Sequence, residues 1–108
     1  MKKAKRARLE AAGWKVGSVK QFLGLTDEEA AFVELKLALA RSLRSRRERK
    51  GLTQTQLAQL IESSQSRVAK MEAGDRTVSL DLLVRSLLVM GATNRELARI
   101  ISAPKRAA

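Results

Sequence analysis

Apolar residues recur along this chain at helical spacing, in five runs parted by short polar or glycine-containing joints, and no glycine-bounded β-branched run suggests a sheet. The first run follows Thr26-Asp27-Glu28-Glu29, a capping box in which Thr26 and Glu29 satisfy each other's backbone amides while Asp27 and Glu28 face the positive end of the helix dipole. It predicts a helix reaching Lys50, where Gly51 supplies a left-handed stop, about 24 residues and roughly 36 Å long. Residues 30–40 of it are apolar nearly all round, with Phe32, Leu35 and Leu39 on one stripe and Val33 and Leu37 on another. A helix apolar on two sides is buried on two sides, so this half is expected to meet a second chain or the N-terminal segment. Residues 41–50 carry six positive charges and one negative, and belong to the domain that follows.

Four shorter helices come next. Thr53 with Gln56 forms a capping box for 54–61; Ser64 can cap 65–73, ended by Gly74; Ser79 can cap 80–90, ended by Gly91; Thr93 with Glu96 caps 94–102, which Pro104 closes. Upstream, Gly13-Trp14-Lys15-Val16-Gly17-Ser18 reads as an extended stretch or a very short strand. Ser18 could then cap a small helix over 19–23 closed by Gly24, with Trp14, Val16, Phe22 and Leu23 packing it onto the main body. The expected organisation is a basic arm and small appendage over 1–25, a helical domain over 26–103 and a tail over 104–108. The expected fold class is all-α with five main helices.

Charge narrows the function. The 108 residues hold 22 Lys and Arg against 11 Asp and Glu, a net +11, and residues 1–25 alone carry seven positive charges against Glu10. A chain this cationic points to a polyanion as partner. The basic N-terminal run is read either as a solvated tail or as an arm lying along phosphates. With no His and no Cys there can be no His/Cys zinc site, iron–sulfur cluster, disulfide, or Cys–His or Ser–His–Asp nucleophile. Trp14, Phe22 and Phe32 are too few and too scattered for a single-strand stacking platform. No apolar run approaches the roughly 18–20 residues of a membrane span, and no apolar leader segment follows the basic start. A soluble, cytoplasmic protein without membrane, metal or cofactor is expected.

The helices at 54–61 and 65–73 are separated by Glu62-Ser63-Ser64, the spacing of a helix-turn-helix. Leu57, Leu60 and Ile61 are expected to face inward from the first helix and Val68 and Met71 from the second, with Ala58 at their close crossing. With Val68 and Met71 inward, a step of about 100° per residue turns Ser66, Ala69, Lys70 and Ala73 outward and leaves Gln65 and Arg67 on the flanks. The stretch RSLRSRRERKGLTQTQLAQLIESSQSRVAKMEAGDRTVSLDLLVRSLLVMG, residues 41–91, resembles the XRE/Cro-repressor family of DNA-binding domains. The resemblance implies a five-helix, lambda-repressor-like domain whose helix-turn-helix, 54–73, places its second helix in the major groove.

On that footing Gln65, Ser66, Arg67 and Lys70 are the expected base-contacting residues. Gln suits adenine and Arg suits guanine in bidentate pairs, Ser66 and Lys70 could meet base or phosphate, and Arg67 could equally clamp a phosphate. Thr53, Gln54, Arg76 and Thr77 are the expected phosphate contacts. Glu72 on a groove-facing helix would repel DNA unless neutralised, and the family pattern pairs it with Arg47 as a structural ion pair. Arg44, Arg46, Arg49 and Lys50 are left as solvated charge or phosphate partners. Similar domains place Gly where this chain has Glu62, because that residue leaves the helix through a left-handed turn.

Four functional readings follow. The leading expectation is a sequence-specific, double-stranded-DNA-binding transcriptional regulator, a repressor acting as a homodimer, with residues 30–40 and the 94–102 helix as candidate interfaces. The alternative is an antitoxin that binds an RNA-cleaving toxin protein and regulates its own operon, since GWKVGSVKQFLGLTDEEAAFVELKLALA resembles extensions on small XRE-type antitoxins. An enzyme is not expected: Ser64 and Lys70 lie on opposite sides of one helix, and Glu28 and Glu29 are adjacent capping residues, so neither pair makes a site. A non-specific nucleic-acid chaperone would account for the charge but not for the helix-turn-helix.

Overall fold

A computed structural model describes residues 24–102; residues 1–23 of the arm and appendage expected over 1–25, and the whole tail expected over 104–108, lie outside the described residues. The described residues form five helices and no strand. They are α1 (Asp27–Arg49), α2 (Gln54–Leu60), α3 (Gln65–Glu72), α4 (Leu80–Val89) and α5 (Asn94–Ser102). Leu35–Ala103 make one compact unit, and the described residues before Leu35 belong to a second.

Local hydrogen bonds decide where each helix begins. At Thr26, Thr53 and Thr93 the N-cap hydroxyl accepts the amide three residues on (Glu29, 3.1 Å; Gln56, 3.0 Å; Glu96, 3.1 Å). In each case the third side chain returns the bond to the cap's own amide at 2.8–2.9 Å. Ser64 and Ser79 cap α3 and α4 by accepting from Arg67 N and Leu82 N. The helix ends fall within a residue of the sequence expectation, because Ile61, Ala73 and Met90 serve as C-caps rather than as last helical residues.

The core of the compact unit is built from every helix but α5. Leu39, Ala40 and Leu43 of α1, Leu57 and Ala58 of α2, Val68 and Met71 of α3, Leu83 and Leu87 of α4, and Val78, Met90 and Ala92 outside the helices are all buried. Leu97 and Ile100 of α5 cover it from outside, half-buried. Ala58, expected at the crossing of α2 and α3, is buried. Ser86 stands inside this core with its hydroxyl bonded to nothing among the described residues. Leu60 differs from expectation: it is 53% exposed. The inward face of α2 is centred on Leu57, Ala58 and Ile61, and a residue three places after Leu57 points roughly 110° away from that centre. Leu60 therefore lines a shallow surface groove with Lys50, Leu52, Val89, Met90 and Gly91.

The turn between α2 and α3 is a Schellman motif. Ser63 N donates to Ala58 O and Glu62 N to Gln59 O, which throws Glu62 into the left-handed region at φ 55°. It is the single non-glycine residue with positive φ among the described residues. Glu62→Gly removes the Cβ–carbonyl clash at the expense of a more flexible unfolded chain. The net expectation is a gain of about 1 kcal/mol, seen as a thermal midpoint higher by roughly 4–8 °C in a circular-dichroism melt. An unchanged or lower midpoint would show that the turn is not strained.

Candidate nucleic-acid interface

Val68 and Met71 are fully buried, which fixes the rotation of α3 about its axis. Gln65, Ser66, Arg67 and Lys70 are all exposed on the same helix. Arg67 and Lys70 are exposed and make no side-chain hydrogen bond among the described residues. Ser66 Oγ lies 3.3 Å from Ser64 Oγ.

Behind this surface runs a chain of side chains that ends in the interior. Arg47 of α1 grips Glu72 of α3 with two parallel bonds, Nε to Oε2 at 2.5 Å and Nη2 to Oε1 at 3.0 Å, and spends Nη1 on the Leu52 carbonyl at 2.8 Å. Both are withdrawn from water, the Arg47 side chain being 12% and the Glu72 side chain 4% exposed. The Glu72 hydrogen bond raises the Arg47 pKa, partly against the effect of burial. Glu72 Oε1 also accepts from Gln54 Nε2 at 3.1 Å, and Gln54 Oε1 in turn accepts from Gln65 Nε2 at 2.6 Å. The first residues of α2 and α3 are thus tied together and anchored to a buried ion pair. Sequence reasoning missed this Gln–Gln bond. Its signal was there, in two glutamines each opening one of two consecutive short helices.

The arithmetic of donors then matters. A Gln amide has two N–H donors and one carbonyl. Gln65 uses one donor on Gln54, which leaves one donor and the carbonyl, the pair that a bidentate contact to adenine requires. Thr53 Oγ1 accepts from Gln56 N, so its own proton stays available. Thr77 is placed otherwise: its amide and its hydroxyl both donate to Asp75 Oδ1, at 2.8 and 2.5 Å. Those bonds lower the Asp75 pKa, helped by the nearby charges of Lys70 and Lys36. Arg76 is exposed beside it.

The remaining basic residues of α1 do not share one role. Arg46, expected as solvated charge or a phosphate partner, instead reaches α5. Its Nη2 donates to Glu96 Oε2 at 2.9 Å, and the Arg46 side chain is 16% exposed. Glu96 already closes the Thr93 capping box, and these bonds together hold its pKa below the usual carboxylate range, the Thr93 amide contributing most. The sequence could not pair residues fifty apart. Arg44 pairs with Glu48 one turn away in full solvent, a contact worth little. Arg49 and Lys50 are exposed.

No helix among the described residues is long and apolar enough to cross a membrane, and among them no group of three or more His, Cys, Asp or Glu could hold a metal ion. Comparison with curated proteins and with solved structures gave no significant match. A family model described as a helix-turn-helix domain matches residues 38–100, more than half of the chain, from the last twelve residues of α1 into α5. Two short helices joined by a left-handed turn, the second with Arg67 and Lys70 exposed, fit that description. The chain belongs to the helix-turn-helix domain family, an assignment that points to a DNA-binding regulator and agrees with its likeness to XRE/Cro-type segments.

Proposed function

We propose that this protein is a transcriptional regulator, a repressor that binds double-stranded DNA sequence-specifically as a dimer and reads the major groove with α3. The observation that carries this reading is the rotation of α3: two fully buried residues, Val68 and Met71, turn Gln65, Ser66, Arg67 and Lys70 outward together. Gln65 and Arg67 supply base-edge chemistry for adenine and guanine, while Ser66 and Lys70 reach base or phosphate beside them. Thr53, Gln54 and Arg76 hold phosphates on either side, with Thr77 joining them where its bonds to Asp75 give way. One helix-turn-helix covers only a few base pairs, so useful selectivity calls for two copies on half-sites about one helical turn, ~34 Å, apart. The net charge of +11 adds a sequence-independent attraction that falls steeply with salt.

Selection of bound duplexes from a random pool, at a stated salt concentration, tests the reading. The expected product is a palindromic or near-palindromic motif with half-sites one turn apart. Binding without any enriched motif would leave only a basic helical protein with general affinity for polyanions.

A further inference from the structure

Lys36 is buried, 8% exposed, and the function outlined above leaves it without a task. It stands on α1 eleven residues before Arg47, three turns and roughly 16 Å along the axis, and within about 20° of the same face. Between them, Leu39, Ala40 and Leu43 fill that face with core. α1 thus presents one apolar stripe with a cation at each end. Arg47 holds Glu72, the last residue of α3. Lys36 Nζ donates to the carbonyl of Arg76 at 3.2 Å, in the loop that follows.

The loop between these anchors has little freedom. It leaves α3 by a second Schellman turn, Asp75 N to Lys70 O and Gly74 N to Met71 O, with Gly74 at φ 71°. A Cβ added at Gly74 would lie 2.5 Å from Leu37 Cδ2, so the backbone passes hard against the residue next to Lys36. Asp75 then gathers Thr77 through two bonds, and Val78 N donates to Asp75 O before Val78 enters the core. Arg76 is left at the crest, its side chain outward and its carbonyl held from beneath.

We propose that Lys36 is a positioning residue for DNA binding: its bond to the Arg76 carbonyl sets the height and direction at which the loop offers Arg76 to a phosphate of the duplex. This rests on the DNA-binding reading given above. The ammonium itself stays under the loop, bonded and shielded, and does not touch DNA.

The test uses the full chain and a labelled mixed-sequence duplex, titrated between about 50 and 200 mM salt. Lys36→Met keeps the aliphatic stem and deletes the donor; Arg76→Ala deletes the proposed phosphate contact. Each is expected to weaken binding at the low-salt end by roughly three- to tenfold and to flatten the slope of log K against log salt by about 0.9, the signature of one lost phosphate contact. The double variant should be no weaker than Arg76→Ala alone, because both act through the same group. Amide exchange at Thr77 and Val78 should quicken in Lys36→Met. Lys36→Gln, neutral and one bond too short to reach the carbonyl, has the same expected behaviour and serves if the Met variant does not fold. Wild-type affinity and slope in both folded variants would overturn the proposal while leaving DNA binding intact. Additive losses in the double variant would overturn it too, by giving Lys36 a contact of its own. A wild-type chain with no salt-dependent duplex binding would overturn the DNA reading first, and this inference with it.

Discussion

Arg47→Met is expected to destabilise the protein by about 3–5 kcal/mol. The reason lies less in what the ion pair contributes than in what its removal strands. Glu72 is 4% exposed at its side chain, and without the guanidinium its carboxylate keeps one neutral donor, Gln54 Nε2, in a place with almost no water. The Leu52 carbonyl loses its partner as well. Small domains are stable by only some 5–15 kcal/mol, so the variant should stand at the edge of folding. Urea unfolding followed by circular dichroism measures it, with an unchanged m-value showing that the midpoint shift is a stability change. Arg47→Met combined with Glu72→Leu should recover much of the loss, since an apolar pair of similar volume leaves no stranded charge. A single variant within 1 kcal/mol of wild type would mean that Glu72 finds solvent by another route.

Gln65→Ala has the second-largest expected effect, and on binding rather than on folding. Its side chain is neutral, so its loss should leave the salt dependence of binding untouched, while affinity for the selected duplex falls by about 1–3 kcal/mol, roughly 5- to 150-fold. Selection repeated with the variant should show relaxed preference at one base pair in each half-site. Gln54→Ala should reproduce part of that loss, because the 2.6 Å bond from Gln65 to Gln54 holds the recognition amide in one orientation before DNA arrives. Equal weakening on every duplex, with a flatter salt slope, would move Gln65 from the base-reading set to the backbone set.

Much of the architecture was legible beforehand because its signals are local. A threonine or serine whose hydroxyl can accept the amide three residues on marks a helix start within one turn of chain, and Thr26, Thr53, Ser64, Ser79 and Thr93 each begin a helix in the structure. Glycine stops are local in the same sense. Burial of Val68 and Met71 followed from periodicity, and with it the outward set on α3. Leu60 was misplaced because a seven-residue helix offers too few apolar positions to fix its inward direction.

Residue order alone was therefore enough for the five helices, their ends and the face that α3 turns outward, since each depends on interactions spanning three or four positions, whereas the left-handed Glu62 was expected from the resemblance to domains that carry Gly there. It was silent about how Arg46 would choose Glu96, how Gln65 would find Gln54 and how Lys36 would come to lie under Arg76. Those partners are 50, 11 and 40 residues apart, and several donors compete for each acceptor. Packing of the apolar stripe of α1 against the other helices selects among them, by bringing one donor within reach of each acceptor and leaving the rest in water.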